Sequence, residues 1–402
     1  MRDSKNPVPE RSGSAKEVFL AFLRLGCTSF GGPVAHLGYF RNEFVARRQW
    51  CTVETFAEIV ALCQAMPGPA SSQVAFTLGL LRARWRGGLA AWAGFTLPSA
   101  LLMMAFELSH HAIRGKSGTS VVHGLQLVAV AVVAQAVLAM QRTLAPDWPH
   151  LAVALAAGVI AFFAPASFGT LAAIGCGVVC GWFLFRAQLA GPALPLEIGI
   201  SRRAGWGATI AFLLLLAGLP VAARLSRLQV LAVFSAFFSS GALVFGGGHV
   251  VLPLLDQAVV ARGWVDQPTF LAGYGAAQAV PGPLFTFAAF LGAAIRPSPS
   301  LVLMSALALI AIFLPGLLLV VAVLPFWSAL RQRRQVQASL RGVNAGVVGI
   351  LAAALIRPVS IAAIHSRLDF LVALSGIVLL TVLKLPPWVV AATIVLATYF
   401  LG

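Results

Sequence analysis

Charge is what this sequence has least of. Asp, Glu, Lys and Arg make up 10% of its 402 residues, against about 25% in soluble globular chains. Hydrophobic residues make up 59% and the mean hydropathy is +0.91, which excludes a water-soluble fold. Six windows hold no charged residue at all: Gly87–Phe106, Ser117–Gln141, Ala204–Ala223, Leu228–Leu255, Gln267–Ile295 and Pro297–Leu330. About 20 apolar residues cross a bilayer core as a helix, so the class is an all-α polytopic membrane protein. The short alternating strands of a β-barrel are missing. Cysteine is also scarce, with five residues and no disulfide framework. Cys176 and Cys180, one helical turn apart, read as small buried hydrophobes rather than a metal pair. No small-residue cleavage site follows the first apolar stretch, so no removed signal peptide is expected. The sequence likewise lacks a nucleophile constellation, metal-ligand spacing and a phosphate loop. Neither catalytic residues, nor a metal, nor a cofactor is expected.

What charge there is falls on one side of the ledger, with 28 Lys and Arg against 12 Asp and Glu. A net charge of +16 raises nucleic-acid binding. However, runs such as Arg331-Gln-Arg-Arg334 sit directly beside apolar spans, where loops held in the cytoplasm collect basic residues. The expected partner is the lipid bilayer, with no nucleic acid.

An internal repeat organises the chain. Phe30-Gly-Gly-Pro33 recurs as Phe245-Gly-Gly-Gly248, and Gln64-Ala-Met-Pro-Gly-Pro69 as Gln278-Ala-Val-Pro-Gly-Pro283. Phe95-Thr-Leu-Pro98 is matched by Phe313-Leu-Pro315, Gly124 by Gly342, and Gln126 by Asn344. The offset drifts smoothly from 214 to 219, as one duplication with small insertions would give. The division reads as a polar tail 1–15, a first repeat 16–190, a linker with one unpaired transmembrane helix 191–228, and a second repeat 229–402.

That unpaired helix inverts the second half if each half crosses the membrane an even number of times. Each half reads as two broken hairpins followed by four spans. In the first half the hairpins cover about 17–48 and 52–82 and the spans about 87–109, 120–141, 148–164 and 168–185. With re-entrant hairpins and a cytoplasmic N-terminus, 19 Lys and Arg lie inside and 8 outside, as the positive-inside rule requires. Arg114 and Lys116 fall outside, and Arg331, Arg333, Arg334 and Arg341 inside. Inverted repeats with broken, re-entrant helices are the expected fold.

The breaks are where function is expected. Proline disrupts the preceding helical turn and pushes the residue before it out of helical geometry. A helix from Thr52 therefore stops near Ala65-Met66, and Pro69 suits the first position of a new helix carrying Ser71 and Ser72. Broken backbone at membrane depth is tolerated only inside protein or along a cavity. Helix N-termini offer free N–H donors suited to an oxyanion, and breaks at matching places in two halves mark a transporter's binding site. The candidate substrate-binding residues are Gly31, Gly32, Pro67, Gly68, Pro69, Ser71 and Ser72 in the first half. Their counterparts are Gly246, Gly247, Pro281, Gly282, Pro283 and Thr286 in the second. His36 and His249 follow the Gly-Gly breaks and read equally as proton carriers, anion donors or structural donors. Gln64, Gln278, Gln126 and Asn344 add amides at equivalent places, and Arg24 is the candidate fixed cation.

The runs Phe30–Phe40, Leu62–Gln73 and Gly94–Pro98 resemble the first domain of the chromate transporter family, and Gly241–Pro253 with Gln278–Thr286 resemble its second. The resemblance covers nearly the whole chain in the long, two-domain form. It implies export of chromate by alternating access from the cytoplasm across the bacterial inner membrane, giving chromate resistance, with sulfate the related oxyanion. The residues alone reach a small anion moved between inverted halves. Sulfate or another oxyanion as main substrate is the alternative, and an intramembrane enzyme using Ser71 or Ser72 is a weaker one. A proton as coupling ion and a homodimer both stay open.

Overall fold

A computed structural model describes residues 13–112, 116–164, 166–185, 196, 198–296 and 300–401. Most of the polar tail, residues 186–195 at the end of the first repeat and the start of the linker, and Arg114 lie outside the described residues. Every described element is helical. Five helices are long and apolar enough to cross a membrane: Ala70–Ser109, Thr119–Leu144, Arg202–Ser226, Leu301–Arg331 and Arg334–Ala363.

The first half opens with α1 (Ala15–Thr28), α2 (Gly32–Phe40, continuing as a π-turn over Arg41–Arg47) and α3 (Val53–Gln64). α4 (Ala70–Ala112) is two helices joined at a corner, where Ala83 and Arg84 leave helical geometry and Arg84 takes a φ of 53°. Then come α5 (Lys116–Leu144), α6 (Trp148–Phe163) and α7 (Ala166–Leu184). The unpaired α8 (Arg202–Ser226) follows. The second half repeats the series as α9 (Gln229–Ala242), α10 (Gly248–Val260), α11 (Gln267–Ala279), α12 (Leu284–Ala294) and α13 (Leu301–Arg331). It closes with α14 (Arg334–Ala363), α15 (Arg367–Thr381) and α16 (Pro387–Leu401).

The first two broken segments of each half turn back on themselves. Phe22 of α1 stacks on Phe44 in the returning limb at 4.6 Å, and Arg82 reaches both Glu17, at 3.3 Å, and the ring of Trp50. Residues 17, 50 and 82 therefore share one end of the molecule, so both hairpins leave where they entered. In the second half Arg224 lies close to Arg262, Arg262 covers the Trp264 ring, and the Arg296 N–H donates to Trp264 O at 3.4 Å. That gathers the opposite end in the same way.

Two cross-half ion pairs fix the relative direction. Arg331, at the foot of α13, pairs with Glu58 beside the openings of the first hairpins, and Trp327 donates to the same carboxylate at 3.1 Å. Arg296, at the openings of the second hairpins, lies 3.6 Å from Glu107 near the far end of α4. The long helix of each half thus ends at the other half's hairpin mouths, and the halves run in opposite directions, as the charge distribution required. The halves also interlock. α6 and α7 pack on α14, while α15 and α16 pack on α5. Small residues permit this approach: a Cβ on Gly342 would strike Gly177 O, and one on Gly124 would strike Thr398. α6, α7, α15 and α16 have 16, 19, 15 and 15 residues, between about 22 and 29 Å long. They are short for a bilayer core of about 30 Å.

Candidate functional site

The four breaks meet at the interface of the halves, each with a glycine in the left-handed region. φ is 98° at Gly31, 120° at Gly68, 74° at Gly246 and 99° at Gly282, where a side chain would be strained. Backbone bonds tie them crosswise. The Gly68 N–H donates to Val244 O at 2.7 Å, and the Gly282 N–H donates to Ser29 O at 2.9 Å. Ser29 and Val244 each stand two residues before their own Gly-Gly break, so the Pro-Gly-Pro turn of one half is latched to the Gly-Gly turn of the other. Behind each latch sits the partner half's proline kink. Gly68 abuts Gly316, next to Pro315, and Gly282 abuts Ser99, next to Pro98.

On one side of these latches lies a cavity of about 520 Å³, within the range of about 300–1,000 Å³ that holds small molecules. Gly31, Gln64, Gly68 and Ser71 line it from the first half, and Gly246, Gly247, His249 and Asn344 from the second. α5 adds Gln135, Met140, Thr143 and Leu144. Thr143 is exposed and stands in the last turn of α5, so the mouth faces the end that carries Glu17, Arg82 and Arg331. The N-termini of α2, α4 and α10 converge on the space, and neither Gly31 before α2 nor Gly247 before α10 receives a side-chain cap. First-turn N–H groups with their partial positive charge are suited to an oxyanion.

Other predicted residues stand elsewhere. Arg24 is exposed on α1 and does not line the cavity, and among the described residues no Lys or Arg lines that space. His36 is fully buried: its Nε2–H donates to Ser29 O at 3.2 Å, and its ring stands edge-on to Phe95. It braces the carbonyl that holds Gly282 and has a structural position. Gln126 donates to Pro268 O at 3.2 Å, away from the cavity. Pro281, Gly282, Pro283 and Thr286 do not line the cavity: Pro281 and Gly282 are half-buried, and the Thr286 hydroxyl donates to Pro283 O at 2.8 Å. Ser72 is buried behind Ser71, Pro67 O accepts from Gln73 Nε2 at 2.9 Å, and Gly32 and Pro69 flank the lining without joining it. Gln278 sits beside the Tyr274 hydroxyl. Sequence reasoning missed Gln135, Met140 and Thr143. The signal for Gln135 was present, since an amide in the charge-free stretch Ser117–Gln141 is unusual.

The family model for chromate transporters matches residues 16–182 and again 231–399. The chain belongs to the chromate transporter family. A chromate transport protein of Pseudomonas aeruginosa is 29% identical over 348 residues, covering 85% of this chain and 80% of the relative. A chromate transport protein of Cupriavidus metallidurans is 29% identical over 351 residues, covering 85% and 82%. A probable chromate transport protein of Synechococcus elongatus is 27% identical over 348 residues, covering 85% and 84%. No solved structure matches. Membership makes this chain a multi-pass membrane transport protein, and the two family matches coincide with the two inverted halves.

Proposed function

We propose that the chain exports chromate from the bacterial cytoplasm by alternating access, with the cavity between the halves as its binding site. The observation that carries this reading is the meeting of both Gly-Gly breaks and one Pro-Gly-Pro break around one cavity that holds several polar side chains. A tetrahedral oxyanion needs several converging donors, and Gln64, Ser71, Gln135, His249, Asn344 and three helix N-termini supply them. The cavity mouth lies at the end richest in basic residues, including Arg41, Arg47, Arg48, Arg82, Arg84, Arg86 and Arg331. By the positive-inside rule that end is cytoplasmic, so the described conformation is open to the side from which an exporter loads. The outward-open state follows by exchanging the roles of the two halves, as inverted repeats permit.

Inside-out vesicles test this directly. Labelled chromate should accumulate in vesicles carrying the protein, and excess sulfate should compete if it shares the site. Replacing Pro67 and Pro69 with alanine should remove accumulation while leaving the protein in the membrane. Accumulation no greater than in empty vesicles would overturn the proposal.

A further inference from the structure

The residues lining the cavity carry no formal charge. Gln64, Ser71, Gln135, Thr143 and Asn344 are neutral donors and acceptors, and His249 is the one lining group able to gain a positive charge. Its Nδ1 lies 2.8 Å from the hydroxyl of Tyr274, which is fully buried on α11. That bond fixes the ring and leaves Nε2 as the nitrogen available to the cavity. The titratable groups around it are the Tyr274 phenol behind and Cys63 on α3, while α2, α4, α5 and α14 bring only uncharged side chains. Asp256, two turns along α10, lies beside Gln267 instead.

Charge decides what such a cavity can hold. The cost of taking an ion out of water rises with the square of its charge, so a dianion costs roughly four times as much as a monoanion in the same surroundings. Neutral dipoles and helix ends offset the smaller cost far more completely. Resting on the cavity being the anion site, we infer that it binds its oxyanion together with one proton, as a complex of net charge −1, with the proton held between an anion oxygen and His249 Nε2. Tyr274 is the positioning residue. Its hydroxyl both donates and accepts, so it holds Nδ1 whether the proton resides on the anion or on the ring.

The consequence is selectivity. Hydrogen chromate loses its proton near neutral pH, whereas hydrogen sulfate loses its proton only in strong acid. Two tetrahedral dianions of similar size are thereby separated by protonation rather than by shape. The proton arrives with the anion from the loading side and leaves with it, so each turnover carries one negative charge.

Calorimetric titration of the purified full-length protein with chromate, in buffers of different ionisation enthalpy, counts the protons taken up. About one proton per chromate is expected above the pKa of hydrogen chromate, with affinity falling about tenfold per pH unit there. Sulfate at neutral pH should bind more than about tenfold more weakly. His249→Gln should flatten the pH dependence, and Tyr274→Phe should lower affinity about threefold to tenfold with the proton count unchanged. Zero protons with pH-independent affinity, or sulfate binding as well as chromate, would overturn the inference, and an unaffected Tyr274→Phe would remove Tyr274 from it. Should either variant fail to fold, the wild-type proton count decides alone. Wild-type protein that binds no chromate, or Asn344→Asp that binds it normally, would instead overturn the cavity as the site.

Discussion

The two Pro-Gly-Pro turns have nearly the same sequence and the same glycine geometry, yet they stand in different surroundings. Around Gly68 the chain opens onto the cavity, with Gln64 and Ser71 facing it. Around Gly282 the residues from Gln278 to Gly282 are half-buried, Ser99 stands against the glycine, Leu284 and Phe285 are buried, and Thr286 turns back onto Pro283. Local sequence contributes to that contrast, because Ala70 and Ser71 follow the first turn where the bulkier Leu284 and Phe285 follow the second.

Breaking the turns should have the largest effect. Gly68→Ala and Gly282→Ala each force a side chain into a positive φ, at about 1–2 kcal/mol, and each drives a Cβ against the partner half. For Gly68 that Cβ would meet Gln73 Nε2 of its own half at 2.9 Å and Gly316 Cα of the other half at 3.0 Å, and for Gly282 it would meet Ser99 Oγ at 2.7 Å. Both should reduce vesicle transport more than about tenfold, although only Gly68 borders the open cavity. Normal transport by Gly282→Ala would show that the second turn is a packing kink. The next comparison uses an equivalent pair of amides. Asn344→Asp places a negative charge in the cavity and should weaken chromate binding by about tenfold or more. Gln126→Glu, which loses its bond to Pro268 O outside the cavity, should lower protein abundance while leaving the affinity of the surviving protein unchanged. The smallest contrast is between the two ion pairs. Arg331→Ala strands the buried Glu58, and breaking such a pair costs roughly 3–5 kcal/mol. Arg296→Ala also removes a partner of a fully buried carboxylate, Glu107, but Arg296 is 49% exposed and 3.6 Å away, so it should lower the detergent melting temperature by less than Arg331→Ala does.

Much of this architecture was legible in the residues. Charge-free windows gave the spans, the offset of Phe30-Gly-Gly and Pro67-Gly-Pro gave the repeat, and asymmetric arginines gave the inversion. The cross-half latch was not legible, because a backbone bond from Gly68 to Val244 leaves no mark on side-chain chemistry. His36 and His249 looked alike in sequence, each a histidine after a Gly-Gly break. Packing separates them: His36 is buried against Phe95 and committed to Ser29 O, while His249 borders the cavity. Arg24 looked like a fixed cation because charge in an apolar segment is rare, but its face of α1 turns outward. Tyr274 drew no notice within an apolar helix, since its importance lies in reaching His249 from another element.

The central claim is that the cavity on the open side of the latches holds the anion. In a cysteine-free background, Gln135→Cys lies in the cavity wall, whereas Ala353→Cys, its repeat equivalent on α14, is buried. The alkylation rate of Gln135→Cys, measured with and without chromate, tests the claim most directly. Gln135→Cys should react rapidly and Ala353→Cys slowly, and saturating chromate should slow the former by about tenfold or more. An alkylation rate at Gln135→Cys that chromate leaves unchanged, in protein that still transports it, would contradict the account.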